Sequence, residues 1–278
     1  MVTEAEDRSD KDVSKTLVSG ADLPSRLVGV LLAAGKGKRL RPLTNIIPKV
    51  FLPVYNKPLV YYPLELLKDL GVNRVVVVAS PNNLEMFRSS LSDGEGLGLR
   101  LEYVVQETPM GTADAINTAK TAVKGEKILV MPADTIYNMK PDEIGTIKQR
   151  LREFESNGKA LLFVKRVKDP RRFGVVEIGK KGSVVGIEEK PEIPKSNFIL
   201  AGMYAYDETV FEKIPKIKLS PRGELEVPDI IKLYMENGRV DCFKIKGGFT
   251  DTGTFEDLFR ASKEMREKCL RNEKLKAV

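Results

Sequence analysis

The chain has 278 residues, 42% of them apolar and 31% charged, with a formal net charge of +7; this is the balance of a globular protein long enough to bury its own core. It contains no histidine, which excludes serine–histidine and cysteine–histidine nucleophiles, histidine general bases and the common zinc ligand sets. Cys242 and Cys269 form neither a metal-ligand spacing nor a disulfide framework, so a reducing, cytoplasmic setting is expected.

Residues 1–24 carry Glu4, Glu6, Asp7, Asp10, Asp12 and Asp22 against Arg8, Lys11 and Lys15. With no apolar core to the segment, it reads as a solvated acidic tail rather than a signal peptide. The run 28–33 (VGVLLA) reads as a buried strand. A helix follows over 59–70, with Pro63 tolerated near its start and Gly71 stopping it. The expected order continues as strand 74–79, helix 84–91, strand 101–105, helix 112–123, strand 127–131, helix 144–157 and strand 160–167. This alternation predicts an α/β fold with a mostly parallel, Rossmann-like sheet flanked by helices. From Phe173 the rhythm changes. Segments 173–178 and 183–188 flank Gly179-Lys180-Lys181-Gly182, a hairpin signal, and a strand is expected over 199–206. Helix 225–237, strand 240–246 and a helix from Thr254 to about Lys268 complete the chain, the last with Thr254 as N-cap and Asp257 three residues on. No stretch approaches the ~18 consecutive apolar residues of a membrane helix, so no membrane partner is expected. The basic residues are dispersed among acids and aromatics are sparse, which argues against nucleic acid.

The first strand leads into Ala34-Gly35-Lys36-Gly37-Lys38-Arg39-Leu40-Arg41-Pro42-Leu43. Glycines let backbone amides approach phosphate oxygens, and the cations neutralise them. It is neither a Walker A loop, because Lys36 precedes glycine rather than Ser or Thr, nor a full dinucleotide fingerprint, because Leu40 stands where a third glycine belongs. On glycine spacing alone, a solvated basic turn accounts for it equally well. Taken singly, Asp134 could start a turn, Asp251 precede a helix, Lys49 lie in solvent, and Gln106 be an exposed polar residue after a strand.

In combination the motifs say more. Gly35-x-Gly37-x-Arg39-Leu40, Pro42-Leu43-Thr44 and Pro48-Lys49 together resemble the signature of sugar-phosphate nucleotidyltransferases. Lys57-Pro58-Leu59-Val60-Tyr61-Tyr62-Pro63-Leu64 resembles the short glucose-1-phosphate thymidylyltransferase branch. The likeness continues through Gln106 to Ala113, Asp134, Phe173 to Glu177, Glu188-Glu189-Lys190-Pro191, Gly202 to Asp207, Arg222 to Glu226 and Asp251-Thr252-Gly253-Thr254. It covers roughly 27–265 in order. The chain differs from that branch at Ala133 and Thr135, where Gly and Asn are usual, at Val50, where Gln is usual, and at Phe173, where Tyr is usual. It also ends sooner after Asp251 than that branch, whose longer helical C-terminus builds subunit contacts and a regulatory site, so both a homo-oligomer and a regulatory site are left open.

The resemblance implies a nucleotide-diphospho-sugar transferase fold in one domain over 25–265. A nucleotide-binding half would span about 25–167 and an inserted β-rich sugar-binding lobe about 168–250, with 266–278 a helix end. It implies a Mg²⁺-dependent transfer of a nucleotidyl group from dTTP or UTP to a hexose 1-phosphate, glucose 1-phosphate above all. Arg39 and Lys49 would act on the phosphates as catalytic cations, and Asp134 and Asp251 would hold Mg²⁺. Ala34, Gly35, Gly37, Gln106 and Gly111 would bind the nucleotide, with the Gln106 amide pairing with the base edge. Gly174, Glu189, Lys190 and Arg222 would bind the sugar phosphate. The partners implied are a nucleoside triphosphate and a sugar 1-phosphate. Such chemistry needs no histidine, because a sugar phosphate is already an anionic nucleophile near neutral pH. A UTP-specific uridylyltransferase and a non-catalytic nucleotide-sugar sensor are the alternatives.

Overall fold

A computed structural model describes residues 26–236, 238 and 240–276; the acidic segment 1–24 lies outside them. The strands are β1 (Val28–Leu32), β2 (Pro53–Val54), β3 (Lys57–Pro58), β4 (Arg74–Ala79), β5 (Arg100–Val105), β6 (Ile128–Pro132), β7 (Thr135–Asn138), β8 (Ala160–Arg166), β9 (Gly174–Ile178), β10 (Val184–Glu189), β11 (Phe198–Tyr206), β12 (Asp241–Lys244) and β13 (Gly248–Asp251). The helices are α1 (Tyr61–Asp69), α2 (Leu84–Leu91), α3 (Thr112–Thr118), α4 (Lys120–Val123), α5 (Pro141–Asn157), α6 (Val210–Lys213), α7 (Val227–Glu236) and α8 (Phe255–Lys276).

One nine-stranded sheet forms the middle layer, in the order β10-β9-β11-β6-β1-β4-β5, with β8 on β11 and β12 on β8. The pairs β6–β1, β1–β4 and β4–β5 are parallel, and β11 meets β6 antiparallel. The continuous valine and leucine runs of β1, β4 and β6 follow from this position. Alternate side chains point to opposite faces, and both faces are covered. Leu31, Val75 and Val77 pack with Leu64 and Leu67 of α1, Phe87 of α2 and Leu151 of α5. Val30, Val76 and Val78 pack with Ile116 of α3 and Ile230 and Ile231 of α7. A smaller cluster of Val54, Leu59, Ile136, Ala261 and Met265 seats α8 on the β2–β3 hairpin and β7.

The expected α/β architecture with a parallel core is the one found. The predicted helix over 112–123 is divided at Ala119 into α3 and α4, and the last helix runs on to Lys276. Thr254 caps α8 as expected: the Asp257 amide donates to its Oγ1 at 3.2 Å, and that hydroxyl donates to the Asp257 carboxylate at 2.8 Å. The elements not foreseen are short: the β2–β3 hairpin, α6, and the two-stranded ribbon of β7 and β13. In β11 the register shifts between Leu200 and Tyr204, at Gly202, whose φ is +75°. The strand thereby bends and serves β9 along its first part and β6 along its last.

Candidate active site

From β1 the chain moves to β4 and β5 on one side and then returns to β6 on the other. That reversal of direction leaves a crevice beyond the C-terminal ends of β1 and β6, the place where open α/β sheets bind ligands. Backbone bonds extend the ladder past the strands. The Ala33 amide donates to Val78 O, that of Ala133 to Leu32 O and that of Gln106 to Ala79 O, each at 2.9 Å. Residues 33, 106 and 133 are thereby aligned along one edge, and the segments that leave this edge build the site.

The segment after β1 folds back as three single 3₁₀ turns, Lys38–Leu40, Leu43–Asn45 and Lys49–Phe51, anchored by buried Leu40 and Val50. The reversal depends on Gly37, at φ +59°, where a Cβ would stand 2.9 Å from Thr44 Cγ2 and 3.1 Å from Lys49 Cβ. The Thr44 hydroxyl closes the turn by donating to Gly37 O at 2.8 Å. At Gly35 nothing lies within 4 Å of a would-be Cβ, so its backbone faces open space.

The two aspartates meet through the ribbon that the sequence did not announce. Asp251 ends β13 and stands opposite Thr135, the first residue of β7. Thr252 donates to Asp134 O from its backbone amide at 3.2 Å and from its hydroxyl at 2.8 Å. Lys49, only 7% exposed, reaches both carboxylates: its Nζ lies 2.5 Å from Asp134 Oδ2 and 3.8 Å from Asp251 Oδ1. Arg39 lies 3.9 Å from the other Asp251 oxygen. Burial, reinforced by the nearby Asp134 charge, pushes the Asp251 carboxyl above its ordinary value, against the pull of Lys49 and Arg39. Among the described residues no group of three or more His, Cys, Asp and Glu side chains suits a metal. Two carboxylates beside an open cleft fit an ion such as Mg²⁺, which keeps most of its shell for water and phosphate oxygens.

Two cavities meet at Asp134. One, of about 500 Å³, is lined by Ala34, Gly35, Gly37, Gln106 and Gly111 along with Asp134. The other, of about 220 Å³, has Asp134, Asp251, Phe173, Gly174, Glu189 and Gly202 in its wall. The predicted nucleotide residues thus gather in the first and Gly174 and Glu189 in the second; Asp134 lines both, Asp251 lines the second, and Lys49 reaches both carboxylates from outside the two walls. Lys190 and Arg222 lie elsewhere, in an adjoining cavity of about 580 Å³ that shares Glu189 and Glu226 with the second. The Arg222 guanidinium is held by three carboxylates, Glu226 at 2.6 Å, Glu189 at 3.3 Å and Glu224 at 3.7 Å. The Lys190 ammonium is 3.4 Å from Glu189, on a backbone with φ +44°. Burial raises the Glu189 carboxyl above its ordinary value, while Lys190 and Arg222 lower it and Glu226 raises it.

Several lining residues had no site role in the sequence reading, although Thr112, Tyr204 and Glu226 lie within its motifs. Thr112 is shared by the two cavities that meet at Asp134, and Arg172, Tyr204, Glu226 and Phe249 line the smaller one. Phe249 stands edge-on to Phe173 at 6.3 Å between ring centroids. Its only sequence signal was its place two residues before Asp251 on an alternating strand. Gly111 also has a second role. At φ +113°, a Cβ there would lie 2.5 Å from Leu225 O. The 110–113 turn is stitched to that residue by Leu225 N to Met110 O at 2.7 Å and Ala113 N to Leu225 O at 3.1 Å.

Residues 28–268 match the family model described as nucleotidyl transferase. The chain is 37% identical over 236 residues to a glucose-1-phosphate thymidylyltransferase of Neisseria gonorrhoeae, covering 84% of this chain and 81% of that one. The enzyme of the same name from Mycolicibacterium smegmatis is also 37% identical over 236 residues, with 84% and 80% covered. Among solved structures, a Bacillus anthracis protein designated a glucose-1-phosphate thymidylyltransferase, in complex with sucrose, superposes with a TM-score of 0.79 at 32% identity, over 86% of this chain and 95% of that one. A UDP-glucose pyrophosphorylase complexed with UDP-glucose shares the fold, with a TM-score of 0.78 at 24% identity over 87% and 99%. A cleft at a sheet switch point, a buried lysine beside two aspartates and a match that spans the whole described sheet agree with one another, and the chain belongs to the nucleotidyl transferase family.

Proposed function

We propose that the chain joins dTTP or UTP to a hexose 1-phosphate, glucose 1-phosphate first, releasing pyrophosphate and a nucleotide sugar. The observation that carries this reading is that two cavities share Asp134, whose carboxylate, together with that of Asp251 in the smaller cavity, is met by the buried Lys49 ammonium. A transfer between two phosphorylated substrates needs such a meeting point, with positive charge at the phosphorus and a pocket on either side. The relatives' name argues for thymidylyl transfer to glucose 1-phosphate.

In this reading the triphosphate lies over Gly35 and Gly37 with its base toward Gln106 and Gly111. The hexose occupies the smaller cavity against Gly174 and Glu189, a carboxylate suited to accept sugar hydroxyls. Lys190 and Arg222 approach the sugar phosphate from behind Glu189. Asp134 and Asp251 would hold Mg²⁺, which when bound neutralises phosphate oxygens as a Lewis acid. Lys49 supplies positive charge at the reacting phosphate, and Arg39, more exposed, meets the departing pyrophosphate. No side chain has to remove a proton, because the attacking phosphate oxygen is already ionised near neutral pH. Among the described residues no helix is long and apolar enough to cross a membrane. A cytoplasmic site of action, where nucleotide sugars are made, accords with this reading.

The test is to incubate the protein with Mg²⁺, glucose 1-phosphate and each nucleoside triphosphate and to measure pyrophosphate. Release with dTTP or UTP that requires the sugar phosphate is the expected result. Release with no pair of nucleotide and sugar phosphate would refute the transfer reading.

A further inference from the structure

Gln106 is 4% exposed and aligned by its backbone bond to Ala79. Its side chain is also fixed. The amide nitrogen Nε2 donates to Asp114 Oδ2 at 2.6 Å and lies 3.5 Å from Gly111 O. Both neighbours are oxygens, and an ionised carboxylate only accepts hydrogen bonds. Turned over, the amide would set its own oxygen against both, so this polarity is imposed by chemistry. The donor half of Gln106 is therefore spent inside the protein. What remains for the cavity that Gln106 lines with Gly35 and Gly111 is Oε1, a pure acceptor.

Asp114 is well placed to hold this arrangement. It sits in the first turn of α3, where the helix dipole favours a negative charge. Its neighbours Ala113, Ala115 and Ile116 are buried, and Ala113 N is tied to Leu225 O, so α3 is fixed against the sheet.

We infer that Asp114 is a positioning residue that sets the base specificity of the cleft: by locking Gln106 as an acceptor, it selects a pyrimidine whose ring N3 carries a proton. This rests on the reading that the cleft holds a nucleoside triphosphate with its base toward Gln106. Thymine and uracil present N3–H between two carbonyl oxygens, and the free Gln106 Oε1 pairs with that hydrogen. Cytosine presents an unprotonated N3, so two acceptors would face each other and a buried oxygen would lose its partner. A site built around a buried polar group rejects a ligand that cannot satisfy it.

Asp114→Asn tests the lock with little change of shape. An asparagine amide can donate to Gln106 Oε1 as well as accept from Nε2, which removes the closer of the two opposing oxygens and leaves only Gly111 O, at 3.5 Å, against the glutamine turning its N–H toward the base. We expect wild-type protein to bind UTP in preference to CTP in equilibrium titrations. In Asp114→Asn the UTP-to-CTP ratio of affinities, and of kcat/KM, should fall roughly tenfold or more, through tighter use of CTP. A role confined to stabilising α3 would weaken both nucleotides alike and leave the ratio where it was. A thermal melt within a few degrees of wild type confirms that the variant is folded. Equal binding of UTP and CTP by the wild type, or an unchanged ratio in the folded variant, would overturn the inference. A wild type that prefers UTP but releases no pyrophosphate would sink the transfer reading instead and leave the base selection standing.

Discussion

Replacing Lys49 by methionine keeps the length and apolar stem of the side chain and removes its charge. The ammonium it takes away is 7% exposed and faces two carboxylates, at 2.5 Å and 3.8 Å. Breaking a fully buried pair in this way costs about 3–5 kcal/mol, because the partner is left charged and dry. Asp134 and Asp251 are 35% and 29% exposed, so water can rehydrate them in part and a loss of about 1–3 kcal/mol is expected. For a chain of this size, that lowers Tm by about 2–12 °C. Catalysis should suffer more, with kcat down ~10²–10³-fold, the scale of removing one preorganised charge from a transition state. Differential scanning calorimetry and a pyrophosphate-release assay read the two effects separately. Mg²⁺ should raise the Tm of the variant more than that of the wild type, since the two aspartates then face each other without a cation. A Tm within a degree of wild type together with kcat within a fewfold would refute both the structural and the catalytic role assigned to Lys49.

Asp251→Asn should separate stability from activity. The fold raises this carboxyl, so the stability it contributes is full below its ordinary value of 3.8 and is lost as pH rises through the raised one. An amide stays neutral throughout, so the variant should match wild type in urea melts at low pH and exceed it near neutrality, while kcat falls ~10²-fold; a variant less stable than wild type at neutral pH would contradict the sign. Lys190→Ala should raise the KM for the sugar phosphate and leave the Kd of the nucleoside triphosphate, measured without sugar, nearly unchanged; the opposite pattern would move the sugar site out of the later half of the chain. Gly111→Ala forces a Cβ against Leu225 O at a φ of +113° and should cost about 2–5 kcal/mol in urea unfolding. A loss below half a kcal/mol would mean that the 110–113 turn yields more readily than its packing implies.

Where local pattern and tertiary position coincide, the elements were legible. The strand 74–79 and the helix 84–91 were placed with their exact ends, because an unbroken valine run belongs in a sheet covered on both faces and the helix presents one apolar stripe. The candidate residues were legible through their ordered motifs, and Arg39, Lys49, Asp134 and Asp251 do converge. Their means of convergence was not legible. The ribbon of β7 and β13 has four residues a side and joins segments 118 positions apart at Thr252 and Asp134. So short a pairing has too few residues for a period to register, and its strands exist because the rest of the fold delivers them side by side.

Amino-acid order alone therefore determined which groups this chain carries for chemistry: cations in a glycine-bearing loop, aspartates and no histidine to move protons. The direction in which the side chains act belonged to the tertiary structure. Nothing near Arg222 in the sequence says that Glu189, 33 positions away, will share its guanidinium with Glu226 and turn it behind the smaller cavity. Nor does a glutamine reveal which end of its amide is free until Asp114 takes the other. Hydrogen-bond polarity is a property of pairs, and the pairs form only when the sheet and α3 close on each other.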